Sequence, residues 1–143
     1  MGGWEDSTKK GFIMPETTVA ALILNDKDEV LLIKRTCPPF DGCLCLPGGH
    51  IDGYEEVYHA VIREVREETN LDFTDARFFF LNEEIYPERK IHNVAICYVG
   101  EGKGTLKINK ESSAYGWYYI PDAAKMALAF GHEKVIRAFI MQT

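Results

Sequence analysis

The chain has 143 residues, 46% hydrophobic and 27% charged, with a net charge of −6; this is enough for one globular domain and too apolar for a disordered tail. The negative balance excludes a general nucleic-acid binder, which needs a basic face to displace counterions. If the substrate is itself anionic, something cationic, such as a metal ion, must screen it.

Residues 1–12 read as a flexible lead-in to a single domain over 13–143. They hold no apolar signal core, and Asp6 breaks the myristoylation pattern. The apolar run Val19 to Leu24 is far too short to span a membrane, so the expectation is a cytoplasmic protein with no membrane partner. Residues 17–25 are β-branched and apolar and predict a buried strand. Asp26 to Asp28 make a turn, and 29–35 return as a second strand. Pro38 and Pro39 make 36–42 a loop. Cys37, Cys43, Cys45 and Cys97 form no C-x-x-C pair. Reduced structural thiols are expected, with zinc or redox chemistry as the alternative.

After Gly48-Gly49 a helix is predicted from about Glu55 to Thr69. Val57, Val61 and Val65 form its apolar stripe, widened by Tyr58 and Ile62, and Asn70 is its left-handed cap. Residues 76–86 and 91–100 predict two long strands, joined through Pro87. Residues 101–104 read as a turn, 105–109 as a short strand, and 116–120 as another strand. The tail reads as helical from near Asp122, broken at Gly131. The order of elements predicts one α/β domain with a mixed sheet covered by helices.

The helix carries an electrostatic problem. On a helical wheel Glu67 lies about 60° to one side of Glu64 and Glu68 about 40° to the other. The three carboxylates thus share one edge beside the apolar stripe. Like charges at i,i+4 destabilise a helix, and Glu67 and Glu68 also sit at its negative end. A solvated charged face is one reading. A hard divalent cation such as Mg²⁺, which takes carboxylates, waters and phosphate oxygens, is the other.

Spacing favours the second reading. Gly49 is followed after five residues by Glu55 and after seven more by Arg63-Glu64. Val65, Glu67-Glu68 and Leu71 complete the run. This resembles the box of the Nudix (MutT-like) hydrolases, G-x5-E-x7-R-E-U-x-E-E-x-G-U, where U is a bulky aliphatic residue. Asn70 replaces the last glycine. Tyr54 precedes Glu55 where many members have glycine, and Gly53 lies one position earlier. The resemblance covers roughly residues 17–140. It implies the Nudix fold, an α/β/α sandwich around a mixed β-sheet, and a Mg²⁺ or Mn²⁺ cofactor.

It also implies roles by position. Glu64, Glu67 and Glu68 are the expected metal-binding carboxylates, joined by the carbonyl of Gly48. Arg63 pairs with Glu55 and orients the carboxylate edge. Glu111, six residues before Trp117, is a further ligand, the general base, or a solvated loop residue. Arg35 contacts a phosphate or is a plain surface arginine, and Gly49 lies against the substrate. The reaction implied is hydrolysis of a nucleoside diphosphate linked to another group X, with Glu67, Glu68 or Glu111 taking the water's proton. A nucleoside triphosphate is the first substrate expected, and ADP-ribose or a nucleotide sugar the alternative. Pro87 stands 16 residues after Leu71, a spacing associated with ADP-ribose-cleaving members. A non-catalytic nucleotide-binding module is the reading from a different class. Many relatives form homodimers, but no residue here marks a dimer face.

Overall fold

The computed structural model describes residues 13–143; the lead-in expected over 1–12 lies outside them. Strands β1 (Glu16–Leu24), β2 (Glu29–Arg35), β3 (Leu44–Cys45) and β4 (Gly48–His50) come first, then helix α1 (Val57–Thr69). Strands β5 (Asp72–Tyr86), β6 (Ile91–Lys103) and β7 (Ser112–Tyr119) follow, then the short helix α2 (Ile120–Ala123) and α3 (His132–Met141).

β1 is the centre of the molecule. It runs parallel to β6 and antiparallel to β4, and β6 pairs antiparallel with β5. β2 pairs with β3 and β7, and meets β1 through the hairpin pair Leu24–Val30. The Asn25 side chain closes that hairpin by accepting the amides of Lys27 and Glu29. The apolar run in β1 is continuous because both faces are covered. Val19, Ala21 and Ile23 pack with Ala60, Val61 and Val65 of α1. Ala20 and Leu22 pack with Ala123 of α2 and Val135 and Ile136 of α3. The layering is α/β/α around a mixed sheet, as expected.

Several boundaries differ from the sequence reading, each for a local reason. α1 begins at Val57, leaving Glu55 in the preceding loop. Its buried stripe uses Ala60 where Tyr58 was expected, and Tyr58 is exposed. β5 begins four residues early because Asp75, at φ 53°, sits in a bulge rather than a turn. The expected turn at 101–104 is mostly strand. A side chain at Gly100 would come within 2.7 Å of the Thr74 carbonyl, and one at Gly102 within 2.9 Å of Leu71 and Ile23. Those glycines mark close approach.

Residues 105–109 form no strand. They serve the C-terminal end of α1 instead: Lys107 N–H donates to the Thr69 carbonyl and Asn109 Nδ2 to that of Glu67. The orphan carbonyls of the helix are thereby met. β7 starts at Ser112, earlier than expected. The tail, expected to be helical from near Asp122, leaves the helix after Ala123, and the helix α3 begins only after Gly131, at φ 67°.

Asn70 adopts φ 64° and its N–H bonds the Arg66 carbonyl, while Nδ2 donates to the Thr105 carbonyl at 2.9 Å. The residue thus performs the glycine's backbone role and adds one bond. Asn70→Gly should therefore leave stability within about 0.5 kcal/mol, whereas Asn70→Val should cost about 1–2 kcal/mol. Urea denaturation of the two variants checks this.

Candidate active site

The site is a cleft of about 530 Å³ that gathers Glu64, Glu67, Glu68, Glu111, Arg35, Gly48 and Gly49. Of the candidate site residues named from the sequence, only Glu55 and Arg63 are not among its lining.

Gly48 lets β4 lie tight against β1, and Gly49 lets the helix come close. A side chain at Gly48 would collide with the backbone of Val19 and Ala20, and one at Gly49 would sit 2.5–2.8 Å from the Glu64 carboxylate. Gly48 N–H donates to Glu68 Oε1 at 2.7 Å, fixing the helix to β4.

Arg63 organises the carboxylates. Its Nε and Nη2 donate to the two oxygens of Glu55 at 2.7 and 2.9 Å. Nη1 donates to Glu64 at 2.8 Å and to Glu67 at 2.9 Å, and Nη2 also reaches the His50 carbonyl. Glu55 in turn accepts the Asp52 N–H. With donors on both oxygens, its carboxyl is held down at about 2. Hydrogen bonding to Glu55 likewise raises the Arg63 pKa above its ordinary value.

The acidic edge is graded rather than uniform. Glu67 is 55% exposed and the Glu64 side chain 14%. Glu68 falls on the apolar stripe, three residues after Val65, and is buried. Burial pushes the Glu68 pKa up to about 8, reinforced by Glu64 and Glu111 and opposed by the Gly48 N–H. Burial also raises that of Glu64.

This has a consequence for stability. A carboxyl with a raised folded-state pKa stabilises below its unfolded value, near 4.5, and loses that contribution as pH rises through about 8. In EDTA, the wild type should lose on the order of 4 kcal/mol relative to Glu68→Gln between those limits. Thermal unfolding of both proteins across that range measures it.

Glu64, Glu67 and Glu68 offer hard oxygens of the kind Mg²⁺ and Mn²⁺ take. Among the described residues no three acidic, histidine or cysteine side chains close a metal shell by themselves. Mg²⁺ does not require that, because waters and phosphate oxygens complete its coordination. The donor chemistry fits a divalent cation here, and so does the mutual repulsion of the carboxylates, which adds to the burial that lifts Glu64 and Glu68.

Two residues are placed differently from the simplest expectation. Arg35 lines the cleft, but its Nε donates to the Pro39 carbonyl at 2.7 Å, and its guanidinium lies 5.0 Å over the Phe130 ring. Much of its bonding capacity holds the 36–42 loop. Glu111 is exposed just before β7, and its carbonyl accepts the Thr36 N–H. The sequence reading missed Glu84, Asn93 and His132, which also line the cleft and are buried. The available signal was strand parity: Asn93 shares its face of β6 with the core residues Ala95 and Cys97, and Glu84 stands opposite Asn93.

The four cysteines remain free thiols, as expected, with burial raising Cys45 and Cys97 to about 12. No described helix is long and apolar enough to cross a membrane.

Comparison with known proteins agrees with this geometry. The chain is 31% identical to an ADP-ribose pyrophosphatase of Methanocaldococcus jannaschii over 130 residues, 90% of this chain and 75% of that protein. A MutT Nudix hydrolase of Burkholderia pseudomallei superposes with a TM-score of 0.81 at 29% identity, over 87% of this chain and 98% of that one. The Nudix domain of Shewanella oneidensis NrtR, solved with ADP ribose, gives 0.79 at 26% identity, over 97% and 94%. The NUDIX domain model matches residues 14–139. With its fold, its box and its relatives in agreement, the chain belongs to the Nudix hydrolase family and is an enzyme of that family.

Proposed function

We propose that the protein cleaves the diphosphate bond of a nucleoside diphosphate joined to a sugar, with ADP-ribose as the leading substrate. The observation that carries the reaction is the gathering of Glu64, Glu67 and Glu68 around Gly48-Gly49 in one cleft. The sequence reading put a nucleoside triphosphate first. The match to the M. jannaschii ADP-ribose pyrophosphatase along 90% of the chain, and the likeness to a domain solved with ADP ribose, favour its alternative.

In this reading the oxygen of a water bonds to one phosphorus while the bridging P–O bond breaks, giving AMP and ribose 5-phosphate. Glu64, Glu67 and Glu68, with the Gly48 carbonyl, would hold Mg²⁺, and the role of Glu111 is to ligate beside them or take a proton. The bound ion supplies neutralisation of the phosphate oxygens and a lower pKa for the attacking water. Glu67, the most exposed of the three box carboxylates, accepts the water's proton. Arg63 holds Glu64 and Glu67 in place through contacts of 2.8 and 2.9 Å. Arg35 adds positive charge to the wall and keeps the 36–42 loop folded over the cleft.

The test is a substrate panel with purified enzyme and Mg²⁺: ADP-ribose, nucleotide sugars, dinucleoside polyphosphates and nucleoside triphosphates. ADP-ribose should give the highest kcat/KM, with AMP as product. Faster release of pyrophosphate from a triphosphate would establish the MutT-type reading instead. Tight nucleotide binding without turnover on any compound would identify a binding module.

A further inference from the structure

The cleft wall also carries a buried carboxylate outside the box helix. Glu84 on β5 is 3% exposed, beside Asn93 (9%) and His132 (5%), and all three line the cleft. Asn93 Nδ2 donates to Glu84 Oε1 at 3.1 Å, and Asn82 Nδ2 to Oε2 at 3.1 Å. His132 accepts the Leu46 N–H on Nδ1 at 3.0 Å. In the neutral ring that leaves the proton on Nε2, which stands 3.5 Å from Glu84 Oε2. Two amide donors therefore bond this carboxylate, and the His132 ring N–H faces it. Among the described residues no lysine or arginine forms an ion pair with it, and the His132 contact is to a neutral ring.

Such a group is expensive to bury. A β5–α3 anchor alone would be served as well by apolar residues. A carboxylate offers about four lone-pair sites, and its neighbours use three at most. The remaining capacity belongs to a side chain on the cleft wall. Two short links also place it. His132 bonds Leu46, two residues before Gly48, whose N–H bonds Glu68. Glu84 thus lies at most roughly 18 Å from the Glu68 carboxylate, within reach of a nucleoside or sugar joined to a diphosphate held there.

We propose that Glu84, oriented by Asn82, Asn93 and His132, is a specificity-determining acceptor that takes a hydrogen bond from an uncharged N–H or O–H donor on the group joined to the diphosphate. This rests on the proposed diphosphate cleavage and deepens it. A site built to bond a donor rejects the analogue lacking one, because its buried acceptor is left unmet. The donor is an exocyclic amino group of the base or a hydroxyl of the sugar, two sources of the same chemistry.

Three substrates separate them: ADP-ribose, IDP-ribose, which replaces the adenine amino group by oxygen, and the cyclopentyl ester of ADP, which keeps a ring and loses the sugar hydroxyls. Wild-type enzyme should show a kcat/KM at least tenfold lower for one analogue, mainly through KM. Glu84→Gln should raise KM for ADP-ribose and shrink that same discrimination to about threefold or less. Loss on IDP-ribose assigns the amino group, and loss on the cyclopentyl ester assigns a hydroxyl. Wild-type enzyme that discriminates against neither analogue overturns the proposal without any variant. So does a Glu84→Gln enzyme that keeps the wild-type ratios, the result expected if the cluster only anchors α3. Failure of the wild type to cleave ADP-ribose at all overturns the proposed function, which is a distinguishable outcome.

Discussion

Glu67→Gln should lower kcat by about 10³-fold or more while leaving thermal stability close to that of the wild type. The size follows from the proposed role: a carboxylate that takes a proton contributes about 10²–10⁴-fold, and a ligand position on a catalytic metal adds to this. The intact fold follows from the structure. Glu67 is 55% exposed, and its side chain accepts the 2.9 Å hydrogen bond from Arg63. A glutamine carbonyl accepts that bond equally well. Single-turnover kinetics on ADP-ribose, with a thermal melt of the same sample, separates the two effects. Glu68→Gln provides the contrast. Glu68 is buried and accepts the Gly48 N–H, so its replacement alters both turnover and the pH dependence of stability. A Glu67→Gln enzyme near the wild-type rate would remove Glu67 from the chemistry and leave Glu68 or Glu111 as the proton acceptor.

The part of this site visible in the sequence is the part with local spacing. Glu64, Glu67 and Glu68 belong to one helix, so their common edge follows from helical geometry. Gly49 was legible only as the opening of the box, and its contact with the Glu64 carboxylate came from the structure. Asn70 could be read because it must turn the chain left-handed. Tyr54 extends the same logic. It adopts φ 63°, so the position before Glu55 needs the left-handed conformation even though its glycine has moved to Gly53. What stayed hidden depends on partners far along the chain. Glu84 meets Asn93 only through the β5–β6 register, and it meets His132 only because α3 packs against β5. The same holds for 105–109. The segment alternates like a strand, but its amide and side-chain donors are drawn to the exposed carbonyls at the end of α1.

Arg63→Ala should be the most destabilising single change among the exposed and half-exposed residues of the site. Arg63 is the one cation joined to Glu55, Glu64 and Glu67 together among the described ion pairs, with Asp52 at 3.5 Å as well. Removing it leaves the 14%-exposed Glu64 carboxylate unpaired beside Glu68. Breaking a partly buried pair from one side costs about 3 kcal/mol, which lowers Tm by roughly 10 °C for a chain of this size. Arg63→Lys should recover little of this. A lysine ammonium cannot meet both oxygens of Glu55 while reaching Glu64 and the His50 carbonyl, a division of labour that needs the guanidinium fork. Added Mg²⁺ should raise the Tm of Arg63→Ala more than that of the wild type, because the variant presents the same carboxylates with less cationic compensation. Differential scanning calorimetry of the three proteins, with EDTA and with Mg²⁺, measures both effects. Equal Mg²⁺ shifts in variant and wild type would show that Arg63 and the cation do not share the carboxylate edge.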